Sequence, residues 1–130
     1  MKNAFRSDLL YPELSYQVVG VLYDVYNQLG HGLAEKVYQN AISVGLKNSK
    51  LKFKEQVYEP MTYMGEKIAI NYFDFLIEDK LILEIKRGDK FSKSHIEQLY
   101  QYLVNKKLKL GILAYFAANS LHFKRIVNIN

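Results

Sequence analysis

Residues 68–86 read IAINYFDFLIEDKLILEIK, and this stretch decides the fold. Two apolar runs, Ile68–Ile77 and Leu81–Ile85, flank the short polar connection Glu78-Asp79-Lys80. Apolar runs of this length around a tight polar turn are typical of a β-hairpin. The stretch therefore predicts two antiparallel strands at the centre of a sheet.

The same hairpin carries two acids and a lysine that its apolar surroundings do not explain. With the turn centred on Asp79, Asp74 lies directly opposite Glu84, with Cβ atoms about 5 Å apart. Lys86 projects from the same face as Glu84. Unpaired buried charge is costly, so either a divalent metal ion or an internal salt bridge with Lys86 must compensate, and the pattern leaves both open. Leu76 and Ile82 share the carboxylate face, and the other face is expected to hold Phe73, Phe75, Ile77, Leu81, Leu83 and Ile85.

Length and composition indicate one globular domain. The chain has 130 residues, of which 49% are hydrophobic and 24% charged, which argues against a disordered or fibrous protein. We expect a single domain over residues 1–130, with residues 1–11 as an N-terminal extension. Cysteine is absent, which excludes disulfides, thiol catalysis and cysteine-bound zinc.

Charge and apolar runs bear on location and partners. The longest apolar run, Leu110–Ala118, is too short to cross a bilayer, and the first residues lack the apolar core of a secretory signal. We therefore expect a cytoplasmic protein without a membrane partner. The net charge of +5 is compatible with a polyanionic partner, although the lysines are spread along the chain and a solvated surface explains them equally well.

Hydrophobic periodicity predicts an α/β fold with a mixed β-sheet flanked by helices. Pro60 is expected to end the first strand, and Ser94 with Glu97 to form a capping box for the last helix. That helix allows a crossover to a parallel strand. The predicted helices are Pro12–Leu29, Leu33–Lys47 and Ser94–Lys106, and the predicted strands are Leu51–Tyr58, Met61–Tyr63, Lys67–Ile77, Leu81–Lys86, Leu108–Phe116 and Leu121–Val127.

Two helices carry further candidate residues. Glu35 and Tyr38 are three positions apart and share a helix face. Taken alone, Glu35 is explained as an acid that stabilises the helix dipole, and Tyr38 as a core residue. His95, Gln98 and Tyr102 form a polar stripe on the later helix, which either borders its apolar face or lines a cleft. Neither an HExxH zinc motif nor a glycine-rich phosphate loop is present in the sequence.

With the run Gly32-Leu33-Ala34-Glu35-Lys36-Val37-Tyr38, the chain resembles the GxxExxY family, a compact branch of the PD-(D/E)XK nuclease superfamily. The resemblance extends from about Tyr16 to Val127. Its other motifs are Tyr63-Met64-Gly65, Asp74, Glu84-x-Lys86 and His95-x-x-Gln98-x-x-x-Tyr102, and the last is also similar to an element of RecB-like and Cas4-like nucleases. The resemblance implies a restriction-endonuclease-like αβββαβ core, which agrees with the element order predicted from periodicity.

The resemblance also implies roles for individual residues. Asp74 and Glu84 would bind Mg²⁺ or Mn²⁺ with the backbone carbonyl of Ile85, and Glu35 would bind the ion directly or through water. Lys86 would orient or activate the attacking water. Gln98 would support the site or the substrate phosphate, completing a catalytic set of Glu35, Asp74, Glu84, Lys86 and Gln98. The residues facing the substrate or supporting the site would be Tyr38, His95 and Tyr102.

The leading functional prediction is a metal-dependent nuclease that hydrolyses phosphodiester bonds, in DNA in preference to RNA. An alternative is a non-catalytic nucleic-acid-binding or accessory subunit that retains the nuclease fold, since the chain is small and carries no long basic arm. A third possibility is a purely structural ion pair in an interaction module. A homodimer is also expected, because one small domain offers little surface to hold a duplex. Tyr72 stands where many relatives carry a basic residue.

Overall fold

The computed structural model describes residues 10–129, so the predicted N-terminal extension lies almost entirely outside the described residues. Within these described residues, three helices and five strands follow in the order ααβββαββ. The helices are α1 (Pro12–Leu29), α2 (Glu35–Asn48) and α3 (Lys93–Lys106). The strands are β1 (Phe53–Tyr63), β2 (Glu66–Ile77), β3 (Leu81–Lys86), β4 (Leu110–Phe116) and β5 (Leu121–Val127).

The five strands form one mixed sheet in the order β1-β2-β3-β4-β5. Neighbouring strands are antiparallel except β3 and β4, which are parallel and joined through α3. This is the predicted crossover, and α2-β1-β2-β3-α3-β4 is the predicted αβββαβ core. Helices α1 and α2 cover one face of the sheet and α3 covers the other, so two apolar cores form, one on each face.

Both predicted hairpins form, and their turns use left-handed backbone. Glu78 and Asp79 have φ angles of 54° and 55°, and β2 pairs with β3 as Phe75↔Leu83 and Ile77↔Leu81. This register is centred on Asp79, as predicted. The other turn, Met64-Gly65, also has two positive φ angles, which match the twist of a two-residue hairpin loop.

The prediction that a strand ends before Pro60 was wrong. β1 extends from Phe53 to Tyr63 with a register shift between Met61 and Thr62, and Pro60 pairs opposite Ile70. The strand can continue because β1 lies at the edge of the sheet, where a residue without an N–H need not break a ladder between two neighbours. The two short strands expected on either side of Pro60 are therefore one.

Two smaller expectations also fail. The N-cap of α3 is Ser92, whose side chain bonds the hydroxyl of Ser94 at 2.8 Å, and no capping box forms. Phe73 was expected beside Phe75, yet Phe73 packs under α3 whereas Phe75 packs under α1 and α2. The alternation of β2 breaks at the intervening residue, Asp74, which lies opposite Gln56, and Gln56 has a left-handed backbone with a φ of 48°.

Among residues 10–129, no helix combines the length and the apolar composition that crossing a membrane requires.

Candidate active site at the open end of the β2–β3 hairpin

Asp74 and Glu84 face each other where the backbone pairing of β2 and β3 stops. The backbone N–H of Asp74 donates to Glu84 Oε1 at 2.7 Å, and the N–H of Ile85 donates to Asp74 Oδ2 at 2.7 Å. Each carboxylate thus accepts a hydrogen bond from a backbone N–H of the opposite strand, where a regular sheet would use a backbone carbonyl. These two hydrogen bonds hold the strands together and bring both acids to one point.

Burial makes this pair of carboxylates electrostatically strained. Glu84 is 4% exposed. Loss of water and, next, the negative charge of Asp74 raise the pKa of Glu84 to about 8. Desolvation likewise raises the pKa of Asp74, although the hydrogen bond from Ile85 partly opposes the rise. The site therefore holds more negative charge than its surroundings stabilise.

Lys86 supplies one positive charge beside this pair. Its Nζ lies 3.7 Å from Glu84 Oε2, and the lysine side chain is 23% exposed. The salt bridge that the sequence left open is therefore present. Its long distance and the raised pKa of Glu84 show that one ammonium group does not balance both acids.

Glu35 begins α2 at the same end of the sheet. Its Oε2 accepts a hydrogen bond from the backbone N–H of Arg87 at 3.2 Å, one residue beyond Lys86. Its negative charge contributes to the raised pKa of both Asp74 and Glu84. Glu35 therefore lies near Asp74 and Glu84 but does not form a three-residue metal site with them. Across residues 10–129, no three acidic or histidine side chains are grouped closely enough to hold a metal ion.

Two glutamines that the sequence analysis missed support Asp74. The Gln39 side-chain amide donates to Asp74 Oδ1 at 2.9 Å, and that of Gln56 reaches the same oxygen at 3.5 Å. Gln39 is buried and lies one helical turn after Glu35, so the spacing i, i+4 on α2 was the available signal. Gln56 had no such signal, because its position depends on a left-handed backbone (φ 48°) within β1.

The tyrosines of the predicted site are buried. Tyr38 donates its hydroxyl to the Gly30 carbonyl at 2.7 Å and stacks on Phe116, so it fixes the loop before α2, in keeping with the core-packing alternative. Tyr102 packs against Phe73. Burial and, next, the charge of Glu84 raise the pKa of Tyr102 to about 12, so its hydroxyl stays protonated near the carboxylates.

The remaining residues of the α3 stripe differ in placement. His95 Nδ1 lies 2.6 Å from Tyr115 Oη, and that oxygen accepts the N–H of Ser92 at 3.3 Å. Burial and, next, the charge of Lys86 lower the pKa of His95, which keeps the ring largely neutral. The side chain of Gln98 is exposed.

The donor set of this site suits a hard divalent cation. Asp74 and Glu84 offer carboxylate oxygens at one point, and oxygen ligands of this kind select Mg²⁺ and Mn²⁺ over softer metals. Burial and, next, the charge of Asp74 raise the pKa of Glu84, and a bound cation would offset both effects. Asp74 and Glu84 therefore fit such an ion, and Glu35 lies at the edge of the same site.

A protein-family model matches nearly all of the sequence that forms this sheet and this site. The model of the PD-(D/E)XK nuclease superfamily matches residues 12–126, and the chain belongs to that superfamily. Nucleases of this superfamily generally use divalent metal ions. Comparison with curated proteins finds no match to the chain.

Two solved structures share the fold. The crystal structure of SSO0001 is 20% identical over 72% of this chain and 50% of its own, with a TM-score of 0.55. An alkaline exonuclease (LHK-Exo) from Laribacter hongkongensis is 12% identical over 92% of this chain and 71% of its own, with a TM-score of 0.51. This chain thus spans half the length of SSO0001, and both likenesses concern the fold.

Proposed function

We propose that this protein is a metal-dependent nuclease that hydrolyses phosphodiester bonds in DNA. The observation that carries the proposal is the meeting of Asp74 and Glu84 at one point, where each carboxylate accepts a backbone N–H of the opposite strand and Lys86 lies beside Glu84. Two acids beside one ammonium group favour a bound cation over a purely structural ion pair. Superfamily membership supports the same reading.

Each residue has a role in this proposal. Asp74 and Glu84, with the Ile85 carbonyl, hold Mg²⁺ or Mn²⁺, and Glu35 contributes directly or through a water molecule. The bound ion supplies Lewis-acid stabilisation of the phosphate and a lower pKa for a water molecule. Lys86 orients the attacking water and stabilises negative charge on the phosphate. Gln39 and Gln56 fix the orientation of Asp74.

Residues of α3 complete the proposed site. His95 is held in place by the 2.6 Å contact of its Nδ1 with Tyr115 Oη, and we assign it a contact with the substrate. Tyr102 supports the site by packing against Phe73 and by keeping a protonated hydroxyl near Glu84. Gln98 reaches the substrate only if the nucleic acid also covers the exposed side of α3. Tyr38 supports the site through the loop that positions Glu35.

Finer assignments belong to the same proposal. The motif Gly32–Tyr38 supports membership in the GxxExxY branch of the superfamily. DNA is the proposed substrate in preference to RNA, and a homodimer and a cytoplasmic location remain predictions.

Metal binding and cleavage test the proposal together. Titration calorimetry should show Mn²⁺ binding to the wild type that is lost in Glu84→Ala, and cleavage of labelled DNA in Mn²⁺ that is lost in Lys86→Ala. Leu29→Ala is a matched control, because Leu29 lies at the exposed end of α1. Equal Mn²⁺ binding by wild type and Glu84→Ala would contradict the assignment.

A second candidate function is a non-catalytic nucleic-acid-binding subunit. It is favoured by one observation: Glu35 is bonded to the Arg87 backbone and does not complete a group of three metal ligands within residues 10–129. DNA binding without cleavage in Mg²⁺ or Mn²⁺, unaffected by Lys86→Ala, would support this candidate against hydrolysis.

A further inference from the structure

The β1–β2 hairpin extends well beyond the rest of the sheet. β2 pairs with β3 only from Phe75 to Ile77, whereas its pairing with β1 continues to Glu66. Residues 57–73 therefore form a two-stranded projection, which we call the outer arm. It begins at Asp74 and Gln56, beside the proposed active site.

The two sides of the outer arm have different surroundings. Val57 packs into the core under α3, and Glu59 forms an ion pair with Lys106 of α3 at 3.2 Å. Tyr58 alternates with them along β1, and its cross-strand partner is Tyr72. Both tyrosines therefore point away from α3. They lie on the side from which α2 delivers Gln39 to Asp74.

Tyr58 and Tyr72 present an exposed aromatic surface on that side. They are 39% and 54% exposed, and their ring centroids are 5.7 Å apart with planes inclined at 59°. Ile70, next on the same side, is 59% exposed. Lys67 Nζ lies 5.3 Å from the Tyr58 ring centroid. Exposed aromatic rings beside a cation are the combination with which proteins bind unpaired nucleotides.

The distance from the carboxylates fits a nucleotide next to the scissile phosphate. Tyr72 is two residues before Asp74, which is about 7 Å along a strand. A strand of nucleic acid bound at the carboxylates therefore has to travel only a short distance to reach the tyrosine pair.

We propose that Tyr58 and Tyr72 stack on an unpaired base, so that the substrate is single-stranded nucleic acid or a frayed strand end. This inference rests on the proposed nuclease function. A base inside a duplex already stacks on its neighbours and offers no free face, whereas every unpaired base offers one. The recognition is therefore selective for strandedness and tolerant of sequence.

Fluorescence anisotropy of labelled oligonucleotides in EDTA tests the proposal without cleavage. The wild type should bind single-stranded DNA more tightly than a duplex of the same sequence. The double variant Tyr58→Ala/Tyr72→Ala should lose about 10-fold or more in single-strand affinity and little in duplex affinity. Tyr58→Phe/Tyr72→Phe should keep wild-type affinity, because phenylalanine still stacks. Tyr16→Ala, at a tyrosine 82% exposed on α1, should also bind normally.

Several results would overturn the stacking proposal. They are equal wild-type affinity for both DNA forms, unchanged affinity of the double alanine variant, or equal loss in the alanine and phenylalanine variants. Conversion of a wild-type dimer to a monomer by the alanine pair, with unchanged DNA affinity, would instead assign the surface to contact between copies. Failure of hydrolysis is separable: the wild type would then bind single strands through the tyrosines but cut no DNA in Mn²⁺.

Discussion

The two ends of the β2–β3 hairpin use the same strands for opposite purposes. At the closed end, Ile77 and Leu81 are fully buried and the backbones pair regularly. At the open end, Asp74 and Glu84 are also largely buried, yet their side chains replace backbone carbonyls as hydrogen-bond acceptors. The closed end stabilises the fold by burying apolar side chains, whereas the open end lowers stability by burying two carboxylates. Because the open end carries this cost, we infer that the chemistry takes place there.

The largest expected effect removes the chemistry and spares the fold. Lys86→Ala should lower the cleavage rate by about 10²–10⁴-fold, because a group that positions or activates the attacking water contributes that much. The melting temperature should change little, since the Lys86–Glu84 contact is long and partly solvated. Single-turnover cleavage and thermal melting measure the two effects. If Lys86→Ala lowered the melting temperature as well as the cleavage rate, the idea that the open end serves chemistry and the closed end stability would be contradicted.

The next effect is the converse, at the closed end. Leu81 pairs opposite Ile77 and is fully buried in the core under α1 and α2, so Leu81→Ala should destabilise the protein by about 2–5 kcal/mol. The cleavage rate per folded molecule should stay near that of the wild type. Urea unfolding and single-turnover cleavage below the transition check both statements. Leu81→Met, which conserves volume, is the control and should cost less than about 1.5 kcal/mol.

A third effect tests the charge at the open end through pH. The folded-state pKa of Glu84 is raised from 4.5 to about 8, so the stability that the protonated Glu84 contributes is present below pH 4.5 and is lost as the pH rises through 8. In EDTA, Glu84→Gln should equal the wild type near pH 4 and be the more stable protein near pH 9, by up to about 5 kcal/mol. The amide oxygen can still accept the Asp74 N–H. If the free energy of unfolding, measured with urea, depends on pH in the same way in both proteins, the pKa of Glu84 is not raised and this prediction is contradicted.

The smallest effect concerns Gln56, whose φ of 48° is unfavourable for a residue with a side chain. Gln56→Gly relieves this conformation but removes the amide beside Asp74, so stability should stay within about 1 kcal/mol of the wild type. Cleavage should slow several-fold. Lys107→Gly is the matched control, because Lys107 has a φ of 59° at the end of α3, away from the site. Equal activity of both variants would remove Gln56 from the site.

Local pattern was enough to predict much of this molecule. The hairpin register centred on Asp79, the order of elements and the opposition of Asp74 and Glu84 all follow from apolar periodicity and a short turn. These features depend on residues close together in the chain, where strand alternation and turn geometry leave few choices. The same local rules failed at Pro60 and Phe73, because edge position and the bend at Asp74 are set by neighbouring strands.

Which groups meet at the site depended on the tertiary structure. Gln39 and Gln56 reach Asp74 only because α2 and β1 pack against the same hairpin. Glu35 and Tyr38 belong to the same short motif but have different partners. Glu35 accepts a hydrogen bond from the backbone of Arg87, whereas Tyr38 is buried against Phe116. Contacts between residues 35–52 positions apart in the chain depend on how helices dock on the sheet. The sequence alone determined the acids and the lysine, whereas packing decided their partners, their burial and hence their charge.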